Sequence, residues 1–122
     1  MFEIREAGRL IGHSAFEHFD TGMGVATGAF IPAEGYARVR PIFRLFAEAS
    51  SSTSAEPEDE AKMTDFRRAA DQLRLELIGP QGELIPTTFV HIYDFSVEGG
   101  ADAYEVEAQV SNRAAWKAVR RS

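Results

Sequence analysis

The first third of the chain alternates apolar and polar positions with a period of two. Phe2 and Ile4 alternate with Glu3 and Arg5, the mark of a strand with one buried face. A short turn at Ala7-Gly8 precedes a second strand, which opens at Leu10-Ile11 and is read as running to about Phe19. After a break at Asp20-Thr21-Gly22, a third strand covers 23–31, with Met23, Val25, Ala29 and Ile31 at alternate positions. Its many small residues predict a close approach, expected from a helix packed across it.

The period then changes. Tyr36, Val39, Phe43 and Phe46 follow 3–4–3 spacing, one face of a helix over 33–49. Pro41 falls inside that run and would cost about 3 kcal/mol in a regular helix interior. Because the apolar face continues through the proline, one kinked helix is predicted. The alternative is a turn at 33–38 followed by a helix that starts with Pro41 at its first position. Residues 50–57, Ser-Ser-Ser-Thr-Ser-Ala-Glu-Pro after Ala49, have no apolar anchor and read as a flexible linker inside one domain spanning 1–122. Glu58, Asp59 and Glu60 suit a helix start. Met63, Phe66, Ala70 and Leu73 repeat the helical spacing, giving a second helix from about 58 to 71.

The last third returns to period two. Leu73, Leu75 and Leu77 alternate with Arg74 and Glu76, and Gly79-Pro80-Gln81-Gly82 is a turn with proline preset at its second position. A long strand over 84–97 is apolar on both sides. Phe89, His91, Tyr93, Phe95 and Val97 face one way and Val90 and Ile92 the other, as in a central strand covered on both faces. After a turn at 98–102, Tyr104, Val106, Ala108 and Val110 alternate with Glu105, Glu107 and Gln109, a half-buried strand. Ser111 or Asn112 can cap a terminal helix carrying Trp116.

The predicted order is βββ-α-α-βββ-α, with every β connection short. Short connections force antiparallel pairing. The expected fold is α+β, a roughly six-stranded antiparallel sheet with helices packed on one face; a rolled, half-open barrel is the other arrangement of the same strands.

Composition narrows the function. The chain has 122 residues, 19 acidic against 13 basic, and a net charge of -6. A general binder of phosphate backbones would carry a basic surface, so nucleic acid is not an expected partner. The absence of cysteine removes disulfides, thiolate metal sites and thiol nucleophiles. No apolar stretch approaches the ~18 residues that span a bilayer, and no secretory pattern opens the chain, so a cytoplasmic protein without membrane association is expected. Eleven of the 13 basic residues are arginine, a codon habit of GC-rich bacterial genomes.

Candidate chemistry is sparse. His13, Glu17, His18 and Asp20 crowd one strand, on which His13 and Glu17 share a face while Ser14, Phe16, His18 and Asp20 share the other. His18 and Asp20 at that spacing suit an acid/base or metal pair, with His91 and Asp94 as further ligands. The bland alternative is a solvent-facing sheet edge. His91 among Phe89, Tyr93 and Phe95 reads first as a core or rim histidine, and otherwise as part of an aromatic pocket with Tyr36, Tyr93 and Tyr104 as polar handles. The glycines at 22, 24 and 28 do not match a dinucleotide fingerprint, and no cofactor is expected.

Charge is more suggestive. Between 94 and 107 lie Asp94, Glu98, Asp102, Glu105 and Glu107 with no base, whereas the terminal helix carries Arg113, Lys117, Arg120 and Arg121 with no acid. The leading expectation is a small acidic interaction domain, of toxin-neutralising or adaptor type, that receives a basic protein partner. Asp102, Tyr104, Glu105, Glu107 and Trp116 are its candidate contact residues. A homodimer through an exposed strand edge, at 103–110 or 2–5, is compatible with it. The competing expectation is a small ligand-binding protein or hydrolase-like enzyme with a His/carboxylate pocket between sheet and helices.

Overall fold

The computed structural model describes residues 1–51, 57–96 and 104–111, together with Ala114, Lys117 and Val119, which are helical. Asp102, Trp116, the turn expected at 98–102 and the middle of the serine-rich stretch lie outside the described residues. In chain order the strands are β1 (Phe2–Glu6), β2 (Arg9–Ser14), β3 (His18–Asp20), β4 (Val25–Ala29) and β5 (Ile31–Pro32). A 3₁₀ helix (Glu34–Arg38), α1 (Arg40–Ser51) and α2 (Pro57–Ala70) follow. The chain then forms β6 (Leu75–Ile78), β7 (Leu84–Ile85), β8 (Thr87–Asp94) and β9 (Tyr104–Val110).

The class is α+β, as the periodicity predicts, but the strands form two antiparallel sheets and not one of six strands. One sheet has the order β5-β2-β1-β6-β7 and the other β3-β4-β9-β8. The reason is that three apolar stretches, each read as one strand, bend and give one half to each sheet. In the stretch read as 10–19, β2 pairs with β1 and β3 pairs with β4. The bend falls at Phe16, whose φ is 46° and whose ring is buried edge-on against Phe2 at 5.3 Å. In 23–31, β4 pairs with β9, and β5 crosses over to pair with β2. Buried Phe30 is the pivot, its N–H donating to the Tyr104 carbonyl at 3.1 Å. In 84–97, β7 pairs with β6 and β8 with β9, the change falling at Pro86, which has no N–H to extend a ladder. Strands that switch sheets at bends are how two sheets share one core.

That core holds Phe2, Ile4, Ile11, Phe16, Leu77, Ile92, Val106 and Ala108, all 1% exposed or less. Two-residue and four-residue turns set the registers as expected. Ala7 (φ 50°) and Gly8 (φ 83°) join β1 to β2 with Glu6 opposite Arg9. Gly82 N–H donates to the Gly79 carbonyl at 2.9 Å between β6 and β7.

The predicted kinked helix is broken instead. The 3₁₀ turn ends at Val39, and α1 starts at Arg40 with Pro41 in its first turn, where the missing N–H loses nothing. α1 reaches Ser51 and α2 begins at Pro57, so the stretch expected to be a linker at 50–57 is shorter at both ends. Gly28 is tight, but not against a helix. A Cβ there would meet Glu17 Oε2, Ser14 Oγ and the Phe16 backbone, so the close approach is to the bend between β2 and β3.

Edges also differ from expectation. β1 and β9, the two strands considered for dimerisation, are interior strands of their sheets, while β8, read as central, is an edge. Its apolar character on both sides is explained by the helices. Ile92 faces the core, and on the opposite side His91 lies against Phe46 and Phe66 of α1 and α2. Among the described residues, no helix is long and apolar enough to cross a membrane.

Candidate functional site

The register of the second sheet places side chains in rows across its outer face. One row is Asp20–Val25–Gln109–Phe89, the next His18–Thr27–Glu107–His91, and the third ends Ala29–Glu105–Tyr93. Strand alternation sends Ala26, Val106, Ala108 and Ile92 to the core and leaves this face to the acids, the aromatic residues of β8 and small residues of β4. Glu105 is exposed and Glu107 half-buried, and neither forms an ion pair among the described residues. Their negative charge is felt next door. The Tyr93 hydroxyl is pushed above its ordinary value, first by burial and then by Glu107 and Glu105.

Tyr104 is on the other side of β9. Its ring lies 5.8 Å from that of Tyr36 and 6.2 Å from Phe30, facing inward and not beside Glu105 and Glu107. The rings that do neighbour the acids are Tyr93, opposite Glu105, and His91, opposite Glu107, which the sequence could not pair with β9 without the strand order.

Asp94 ends β8 fully buried, and its carboxylate is answered from four side chains. Tyr36 Oη donates to Oδ2 at 2.7 Å; Ser96 donates to Oδ1 from its hydroxyl (2.6 Å) and its N–H (3.1 Å). Arg40 Nε lies 3.6 Å from Oδ2 and Arg44 Nη1 4.0 Å from Oδ1. Arg44 also donates to the Asp94 carbonyl at 2.6 Å. Burial alone would raise the carboxyl, but the hydrogen bonds from Ser96 and Tyr36, with Arg40 beside it, hold it below the ordinary value. Tyr36 is driven strongly upward, by burial first and by the bonded Asp94 second. This is a saturated network, and it ties α1 to β8 and the 3₁₀ turn.

His91 is the opposite case. Its ring centroid lies 4.4 Å from those of Phe46 and Tyr93, 5.5 Å from Phe66 and 5.8 Å from Phe43. Its Nε2 is buried without a hydrogen-bond partner. Burial lowers the imidazole from 6.5 to about 4, so it is neutral at pH 7.

The candidate catalytic residues are not brought together. His13 lies half-buried on β2 in the first sheet, opposite Glu3 and Ile31. Ser14 and Phe16 are buried while His18 and Asp20 are exposed, so the bend at Phe16 ends the shared face expected of 13–20. Glu17 Oε2 accepts the Ala29 N–H at 3.0 Å, and Asp20 Oδ1 the Met23 N–H at 3.1 Å. His18 shares a row with His91 but stands three strand spacings away, about 14 Å. Among the described residues no group of three or more His, Asp or Glu side chains is placed to hold a metal ion.

Comparison with known protein families, curated proteins and solved structures finds no match for this chain.

Proposed function

We propose that the protein is a small interaction domain whose acidic outer sheet face receives a basic protein partner. One observation supports this reading most strongly. Register places Glu105 and Glu107 directly beside Tyr93 and His91, with exposed Phe89 at the end of the next row; α1 and α2 cover this face at His91, and Glu105 and Phe89 stand exposed on it. Aromatic side chains flanked by charge are the composition of binding hot spots, in which aromatic burial supplies affinity and charge steers approach. The net charge of -6 has the same sign as the face.

The test is capture from lysate of the source organism by the tagged chain and by the Glu105→Lys, Glu107→Lys double variant, at low and high salt. The expected result is one stoichiometric basic protein, retained by the native chain at low salt and lost from the variant. Equal retention by both chains, or no stoichiometric partner at either salt, would overturn the proposal.

A further inference from the structure

Four strands lie at sheet edges among the described residues, and three of them offer little to a neighbouring chain. β5 and β7 have two residues each, and β5 ends on Pro32, which has no N–H to give. β8 lies against α1 and α2 at His91, and the carbonyl of its last residue, Asp94, accepts from Arg44. β3 is the exception. His18, Phe19 and Asp20 are all exposed, Phe19 at 43%, and the strand is paired on one side, to β4. The open side of an edge strand carries backbone donors and acceptors that can template a further strand.

We propose that β3 is a self-association edge, at which a second copy of this chain adds its own β3 antiparallel, about a two-fold axis through Phe19. The residues of the strand set this register. A two-fold axis normal to the sheet keeps each side chain on its own face, so it passes through a residue paired with itself. Centred on Asp20, the pairing would set two carboxylates face to face. Centred on His18, it would set Asp20 against Phe16, where the chain bends out of the strand. Centred on Phe19, it sets His18 opposite the second copy's Asp20, twice, while Phe19 meets its counterpart on the other face. A histidine N–H donates to a carboxylate whether the ring is charged or neutral. Asp20 has an oxygen to receive it, since the Met23 N–H is held by Oδ1. Just beyond the strand Glu17 falls opposite Thr21, so no like charges meet there. The pairing joins the four-stranded sheets of both copies into one, with both acidic faces on the same side. It is independent of the acidic-face reading, because it uses neither Glu105 nor Glu107.

A three-residue edge makes a weak interface, so the dimer is expected at high chain concentration. The experiment is sedimentation equilibrium of the full chain from micromolar to millimolar concentration, beside His18→Asp and His18→Lys. Both substitutions change an exposed side chain and leave the Asp20–Met23 bond in place. The native chain is expected to form dimers and nothing larger. His18→Asp sets like charges opposite each other on both sides of the axis and should weaken the dimer about tenfold. His18→Lys keeps opposite charges there and should keep the dimer. Backbone amide resonances of residues 18–20 should move with concentration, while those of β8, at the far edge of the sheet, stay in place. A native chain that remains monomeric, undiminished dimerisation by His18→Asp, an equal loss in both variants, or concentration-dependent shifts at β8 and not at β3 would each overturn the proposal.

Discussion

Asp94 and the pair Glu105/Glu107 sit on adjacent strands and carry the same charge, yet the fold treats them oppositely. Asp94, at the end of β8, is buried and answered by Tyr36, Ser96, Arg40 and Arg44. Glu105 and Glu107 on β9 stand on the outer face with no ion-pair partner among the described residues. The difference separates charge that holds the fold together from charge available to a partner. A carboxylate whose hydrogen bonds are filled from within adds little to recognition. One left open to solvent adds little to stability but shapes the field that an incoming molecule meets. His91 is the intermediate case: the residue is half-buried, and its covered Nε2 is unanswered like the glutamates.

Breaking the answered side should have the largest effect. Asp94→Ala strands the Tyr36 hydroxyl and removes the counter-charge of two arginines, and denaturant unfolding should show a loss of about 3–4 kcal/mol. The next effect is conditional on pH. The folded His91 imidazole is held at about 4 against 6.5 when free, so below 6.5 the unfolded chain takes up a proton that the folded chain refuses. Its contribution is complete above pH 6.5 and falls as pH drops toward 4, by up to about 3 kcal/mol. His91→Phe should flatten that limb of a stability–pH profile. The loss tied to Asp94 should persist in the variant, because it sets in only at lower pH, below the ordinary aspartate value.

Tyr36→Phe removes one donor from Asp94 and leaves Ser96 and the arginines, so about 1–2 kcal/mol is expected from the same unfolding measurement. The Glu105→Lys, Glu107→Lys double variant should sit at the bottom of this scale, within about 0.5 kcal/mol of the native chain. A large loss there would erase the distinction between the two strands.

Much of the secondary structure is legible in the sequence because each element is amphipathic at its own period. The alternation of Tyr104 to Val110 survives intact, as does the helical spacing of Phe43 and Phe46 within α1 and of Met63, Phe66 and Ala70 within α2. The two-sheet division is not legible, for a physical reason. Alternation looks the same before and after a strand bends into a second sheet, so Phe16, Phe30 and Pro86 read as interruptions too small to matter. Pro41 was ambiguous because Tyr36 and Phe43 face the same core from separate helices, which imitates one continuous stripe.

The site follows the same rule. The outward-facing glutamates are visible in β9 alone, but their aromatic neighbours depend on β8 being next to it. The fate of Asp94 depends on Tyr36, 58 residues earlier, which no local pattern could supply. The inward position of Tyr104 was within reach, since it shares its period with Val106 and Ala108.

The most direct test of the open-charge account is the association rate of the captured partner, measured at low and at physiological salt. For the native chain the rate is expected to fall about tenfold or more across that range, and for the Glu105→Lys, Glu107→Lys variant to be slower and nearly flat. A rate indifferent to salt, or the same slope in both chains, would contradict it.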